Sequence, residues 1–165
     1  MTGLLNKAGL LALAMLASAC WQQQDVIRVT ADGLVRVESE ATVTDASMKK
    51  ADIDKITDKV LADFIAAGWQ MEKRWLSGQP PYRLQFVGQA PVAAIQDVDN
   101  FYRIERVDRR RYRVQFLLAG EGEQQVKRTI RLLTADGVQW IDDHNNVVRE
   151  IEPVTGDDSY TLQFN

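Results

Sequence analysis

This 165-residue chain has one cysteine, one histidine and four prolines. A single cysteine excludes an intramolecular disulfide framework. A single histidine leaves little material for a histidine-based catalytic dyad or a zinc site, since structural zinc takes four nitrogen or sulfur ligands. Charge of one sign is also missing in excess: the formal net charge is −3, which argues against a general nucleic-acid binder. No low-complexity tract occurs, and no Gly-x-Ser-x-Gly nucleophile elbow. Beyond residue 20 no apolar run approaches the roughly 20 residues that a membrane helix needs.

What is present at the start is informative. Residues 1–7 carry Lys7, and residues 8–19 are apolar or small throughout, ending Leu16-Ala17-Ser18-Ala19 before Cys20. A charged start, a short apolar middle and small residues before a cut have the layout of a secretory signal. Leu16-Ala17-Ser18-Ala19-Cys20 resembles the lipobox of bacterial lipoproteins, with Ala17 where leucine is most frequent. The resemblance implies a diacylglycerol on the Cys20 thiol, cleavage before Cys20, and an acylated new amine. Two or three acyl chains anchor stably, at about 0.8 kcal/mol per buried CH₂. The alternative is an ordinary signal cut after Ala19, which would leave an unpaired cysteine at the new terminus. Trp21 stands where enteric sorting uses aspartate for inner-membrane retention, so the resemblance implies an outer-membrane protein facing the periplasm.

Removal of residues 1–19 from 165 leaves 146, the size of one domain, and without Lys7 its charge is about −4. Residues 20–25 read as a short tether and 26–165 as a single α+β domain. Val26–Thr30 and Leu34–Thr42 alternate as a hairpin about Ala31-Asp32-Gly33. Asp45 or Ser47 is placed to cap a helix ending near Ala67, before Gly68. Its stripe of Ile53, Ile56, Val60, Leu61 and Phe64 is placed to pack on a sheet. Strands follow at Trp69–Leu76 and Tyr82–Phe86, joined by Ser77–Pro81. Pro91–Asn100 reads as a short helix or a covering loop. Thereafter Tyr102–Val107, Tyr112–Leu118, Val126–Leu133, Val138–Ile141, Val147–Ile151 and Tyr160–Phe164 read as strands of an antiparallel meander. The expected fold is α+β: an antiparallel, curved sheet with one helix across one face.

Thr30-Ala31-Asp32-Gly33 recurs as Thr134-Ala135-Asp136-Gly137. This reads as one favoured turn used twice, with duplicated halves as the alternative. The element order, together with the lipobox, is weakly similar to the LppM-like class of actinobacterial lipoproteins. That class often ends in a membrane helix, whereas this chain ends in the strand Tyr160–Phe164.

Catalysis has little support, and the expectation is a protein that is not an enzyme and has no cofactor. His144 lies in Asp142-Asp143-His144-Asn145-Asn146. That segment reads as a polar turn, with no metal site, because neighbouring turn residues do not converge readily on one ion. A hydrolase would need His144 in a pocket beside a carboxylate. Gly120-Glu121-Gly122-Glu123 and Gly156-Asp157-Asp158 read as hairpin loops.

The strongest local anomaly is basic. Arg103, Arg106, Arg109, Arg110, Arg111 and Arg113 fall within eleven residues of an acidic chain, and Lys127, Arg128 and Arg131 add to them if their strand is a neighbour. Close to an anchor, such a cluster suits anionic lipid headgroups, an acidic envelope protein or a polyanionic polymer. Paired with Glu105 and Asp108, it is an ordinary solvated face. Trp69, Trp75, Trp140 and Tyr82 are core residues or the lining of a groove. The functional expectation is a membrane-anchored, non-enzymatic binding or assembly factor of the envelope. The alternatives are an inhibitor or immunity-type protein with an acidic loop in a cationic active site, and a lipid carrier with an apolar cavity between helix and sheet.

Overall fold

A computed structural model describes residues 21–118 and 126–165. Cys20, the signal expected over residues 1–19 and the loop expected at Gly120–Glu123 lie outside the described residues. The elements are β1 (Trp21–Val29), β2 (Leu34–Val43), α1 (Lys50–Ala66), β3 (Gln70–Ser77), β4 (Tyr82–Pro91), β5 (Tyr102–Arg106), β6 (Arg111–Phe116), β7 (Lys127–Thr134), β8 (Val138–Ile141), β9 (Glu150–Ile151) and β10 (Ser159–Phe164). The fold is α+β, as expected. None of its helices is long and apolar enough to cross a membrane, among the described residues.

The strands form two sheets rather than one curved meander. A six-stranded sheet has the order β3-β4-β2-β1-β7-β9, and a four-stranded sheet the order β5-β6-β10-β8. All neighbours are antiparallel except β1 and β7, which run parallel with Gln22 opposite Lys127 and Val29 opposite Thr134. The alternation of β7 is compatible with a place in either sheet, so local pattern does not reveal this long-range pairing.

The repeated Thr-Ala-Asp-Gly turns make the difference visible. Gly33 and Gly137 adopt left-handed φ values of 84° and 81°. The first turn returns β2 beside β1 in the same sheet. The second carries the chain from β7 into β8 of the other sheet. Identical turn chemistry thus serves two different junctions.

Trp21–Asp25, expected as tether, is the first half of β1 and pairs with Val43–Ser39 of β2. Its inward positions include polar Gln23 and Asp25, so the alternation does not look amphipathic. The helix starts later than expected: Lys49 is its N-cap and makes no side-chain capping bond. Asp45 instead accepts from the Ser47 amide and hydroxyl at 2.8 and 2.6 Å, closing a turn before the helix. Gly68 ends it at φ 100°, where an added Cβ would lie 2.9 Å from the Ala94 carbonyl oxygen. Residues 92–100 form a covering loop, with Val92 and Val98 buried and the Gln96 amide donating to the Ala67 carbonyl at 3.0 Å. The strand expected over Val147–Ile151 shrinks to Glu150–Ile151.

The core falls into two clusters on the inner face of the large sheet. One, between the sheets, includes Ile27, Val29, Val114, Phe116, Ile130, Trp140 and Leu162. The other, under the first half of α1, includes Val43, Ile53, Ile56, Tyr82 and Leu84. Full burial of Ile53 and Leu84 contributes about 1.5–3 kcal/mol each.

Candidate functional site

Between the two clusters the packing is incomplete. A cavity of about 110 Å³ lies on the inner face of the large sheet, bounded by α1 on one side and the small sheet on the other. Water-sized spheres need about 10–15 Å³ of such space, so this is far larger than a packing defect. Its walls are almost wholly apolar: Ile56, Val60, Leu61 and Phe64 from α1, Val37 and Met71 from the large sheet, and Phe116 and Trp140 from the small one. The helix stripe is therefore both core and wall. Ile56 is buried, while Val60, Leu61 and Phe64 are only half-buried because the cavity fronts them.

Gly88 on β4 lies beside one of the wall residues, Met71. It pairs with Met71 of β3, and an added Cβ at Gly88 would stand 2.0 Å from the Met71 sulfur. Met71 can lie flat on the sheet because residue 88 has no side chain.

One polar patch interrupts the apolar wall. Asp25 on β1 faces Ser39 across the β1–β2 ladder, and Arg128 on β7 stands opposite Gln23 across the β1–β7 ladder. All four line the cavity. Arg128 Nε donates to Asp25 Oδ2 at 2.8 Å, with both residues buried (6 % and 3 % exposed). Arg128 Nη1 donates to the carbonyls of Phe101 and Leu117 at 2.8 and 2.9 Å. Gln23 Nε2 donates to Asp25 Oδ1 at 3.0 Å. The guanidinium also lies 5.6 Å from the centre of the Phe116 ring, which in turn packs 5.8 Å from Trp140. Arg128 thus ties the small sheet's edge loops to the large sheet beside the cavity.

Arg128 therefore does not extend the surface arginine cluster. It points inward with Ile130 and Leu132, whereas Lys127 and Arg131 are exposed. The period-two alternation of β7 carried that signal, and the basic character of the segment obscured it.

A second polar network holds α1 to the sheet. Lys73 Nζ donates to Asp54, Asp58 and Thr57 at 2.8, 2.5 and 3.1 Å. Trp75 Nε1 donates to Asp54 at 2.9 Å. The Lys73 ammonium, helped by Trp75 and Lys50 against burial, holds the Asp54 carboxyl down to about 2. Burial alone would lower the Lys73 pKa, and its bonds to Asp54 and Asp58 outweigh this and raise it. At the other end of the helix, Trp69 Nε1 donates to Tyr102 Oη at 2.7 Å, and Tyr102 donates to the Gln96 carbonyl at 2.5 Å. Burial pushes the Tyr102 phenol up to about 12, opposed by Trp69 and reinforced by Asp97.

The four aromatics divide between core and cavity. Trp69 and Trp140 are buried and also line the cavity. Tyr82 is core, donating to the Met48 carbonyl at 2.8 Å, and Trp75 packs under Lys50.

The arginine cluster lies on the β5–β6 hairpin, and all six side chains are exposed. Arg111 pairs with Asp108 at 2.6 Å and Arg113 with Glu105 at 3.8 Å. Arg103, Arg109 and Arg110 have no carboxylate partner among the described residues. Phe164 donates to the Arg110 carbonyl and Asn165 to that of Gly137, while Ala135 donates to that of Val29. The tip therefore lies beside the end of β10, which in turn meets the β7–β8 turn.

At the opposite surface, Asp142, Asp143 and His144 bring their ligand atoms within 4.8 Å of one another, closer than adjacent turn residues were expected to come. Asp142 is engaged as the turn acceptor, taking the amides of His144 and Asn146 at 2.9 and 2.8 Å.

The class these features define is a two-sheet α+β domain with one helix and an internal apolar cavity. No protein-family model matches the sequence, and no curated protein matches it. Among solved structures, the NMR structure of the folded domain of Mycobacterium tuberculosis LppM is similar, at 11 % identity and a TM-score of 0.44 over 88 % of this chain and 91 % of that one.

Proposed function

We propose that this protein is a lipid-anchored, non-enzymatic accessory protein of the bacterial envelope whose folded domain binds the apolar part of a lipid. The observation that carries the reading is the apolar cavity between α1 and the two sheets. A well-packed domain fills such space at near-crystalline density, and apolar cavities of comparable size stay dry and take up apolar ligands. The anchor rests on the lipobox at Leu16–Cys20. Because β1 begins at Trp21, the domain would sit directly on its membrane without a flexible tether, with the cavity within reach of acyl chains. An outer-membrane position facing the periplasm follows from Trp21 by the enteric sorting pattern.

Two measurements test this. Cys20→Ser moves the protein from the membrane to the soluble fraction, and an unchanged membrane fraction refutes the anchor. Uptake of the apolar dye N-phenylnaphthylamine, read by fluorescence, is expected for the wild type and is lost in Leu61→Trp, which fills the cavity. A wild type that takes up no dye refutes the carrier reading.

A second reading concerns the arginine tip. Among the described residues Arg109 and Arg110 are exposed and have no carboxylate partner, which suits an acidic envelope protein or polyanionic polymer.

A further inference from the structure

The outer face of the small sheet is polar along its three longest strands. Tyr102, Tyr112, Val114, Phe116 and Leu162 are buried on the inner face, so the alternate positions of β5, β6 and β10 face away from the core. Those positions hold Arg, Glu, Gln, Ser and Thr, and no apolar side chain. One row runs straight across three strands: Arg111 of β6 stands opposite Gln163 of β10, which stands opposite Gln139 of β8. Neighbouring strands lie about 4.8 Å apart, so the row is about 10 Å long. Gln163 and Gln139 are half-buried, and their side-chain amides make no hydrogen bond among the described residues.

At its β6 end the row opens into a cleft of about 450 Å³ between the β5–β6 tip and residues 163–165, with Arg109, Arg110, Arg111 and Gln163 in its walls. The Phe164 amide donates to the Arg110 carbonyl at 2.8 Å, which fixes one wall against the other. The Phe164 ring packs on Tyr112, 6.2 Å between centres. Asp108 also borders the cleft, but its carboxylate is engaged: it accepts from the Arg110 amide at 2.8 Å and from Arg111 Nε at 2.7 Å. Arg109 and Arg110 have no carboxylate partner among the described residues. Two uncompensated guanidinium groups thus stand beside two unused amides.

This arrangement restricts the partner. A protein–protein interface takes its energy from an apolar or aromatic centre that excludes water, and the outward positions of β5, β6 and β10 supply none. A plane of lipid headgroups does not enter a cleft, whereas a single hydrated chain does. Guanidinium groups hold acid groups through charge-assisted bonds, and side-chain amides both donate to hydroxyls and accept from them. We propose that the tip cleft and the row Arg111–Gln163–Gln139 bind a linear acidic polysaccharide, with its acid groups on Arg109 and Arg110 and its hydroxyls on Gln163 and Gln139. This inference rests on the second reading above and narrows it to one class of polymer.

The test uses the full chain in nonionic micelles and three fluorescent polymers: polygalacturonate, polyglutamate of equal charge, and neutral dextran. Binding is read by fluorescence anisotropy at low and high salt. Polygalacturonate is expected to bind, and to bind more weakly as salt rises, because the polymer's counterions are released on binding. Polyglutamate carries the carboxylates without the hydroxyls and is expected to bind about threefold or more weakly; dextran is expected not to bind. Changing Arg109 and Arg110 together to Ser is expected to weaken both acidic polymers about tenfold, the range for hydrogen bonds to a charged donor. Gln163→Leu is expected to weaken polygalacturonate about threefold, the range for a neutral hydrogen bond, and to leave polyglutamate unchanged. Gln139→Leu, on the next strand, is expected to act in the same way. Equal affinity for the two acidic polymers, with no selective loss in either Gln variant, overturns the polysaccharide assignment and leaves the tip as a general site for acidic partners. Dextran that binds as tightly as polygalacturonate overturns the role of the arginines. Binding of neither acidic polymer defeats both readings.

Discussion

Arg128 and Asp25 are 103 residues apart in the sequence and 2.8 Å apart in the fold, each buried in the wall of the cavity. The pair joins β7 to β1, the parallel contact that local sequence pattern does not reveal. Arg128 also holds the Phe101 and Leu117 carbonyls, which belong to the small sheet's edge. One side chain thus links the register of the large sheet to the position of the small one.

Breaking this pair leaves a buried charge without its partner. Asp25→Ala and Arg128→Ala are each expected to lose about 3–5 kcal/mol. The double change Asp25→Leu with Arg128→Met removes both charges and is expected to lose less than either alone. Urea denaturation midpoints of the three variants check this, and additive losses would argue that the two residues act independently.

The Asp54–Lys73 network predicts the response to acid. The Asp54 pKa is about 2 in the fold against an ordinary 3.8, so the unfolded chain takes up the proton first as pH falls. This stabilisation is complete above about pH 4 and is lost between about pH 4 and pH 2. Asp54 is one-third exposed, so solvent screening limits the effect to about 1 kcal/mol. Asp54→Asn is expected to be less stable at neutral pH and to flatten this part of the stability curve. Parallel curves for the two proteins between pH 2 and 4 would show that Asp54 does not contribute there.

Gly88 fixes where Met71, a wall residue of the cavity, can lie. Gly88→Ala forces the flexible Met71 side chain off the strand and into the cavity. Dye uptake is expected to fall severalfold, and Met71→Ala in the same chain is expected to restore it. Thermal melting separates this from unfolding, since both variants should stay cooperatively folded.

The arginine tip is expected to matter for partners and not for folding. Arg109→Ser and Arg110→Ser remove exposed side chains that have no ion-pair partner among the described residues, and stability should change by less than about 0.5 kcal/mol. Arg111→Ser loses the Asp108 pair, which solvent and salt screen at this exposure, so its loss is expected to leave stability nearly unchanged. Crosslinking in native envelopes, with and without these changes, checks whether a partner depends on them. An unchanged partner profile makes the tip an ordinary solvated hairpin.

Most of the elements are legible in the sequence, because each is a local pattern. The hairpin about Ala31–Gly33 follows from alternation and a left-handed glycine. The helix follows from the spacing of Ile53, Ile56, Val60, Leu61 and Phe64, and Gly68 marks its end. Val138–Ile141 is read to the residue. The first half of β1 is missed because Gln23 and Asp25 face inward, which makes the segment resemble a polar tether.

What the sequence by itself determined is the α+β class and most of the order of its elements, since neighbouring residues carry this information. Which sheet each strand joins was decided only by tertiary structure. The two Thr-Ala-Asp-Gly turns have the same residues and the same glycine conformation, and lead to different sheets. Tertiary structure also sent Arg128 inward and left Arg109–Arg111 exposed on the β5–β6 hairpin. The cavity belongs to neither α1 nor any strand alone. It is the volume left between α1, the small sheet and the inner face of the large sheet, where α1 reaches the small sheet only near Phe64 and Tyr102. Such a space depends on how three surfaces meet, and no pattern along the chain encodes it.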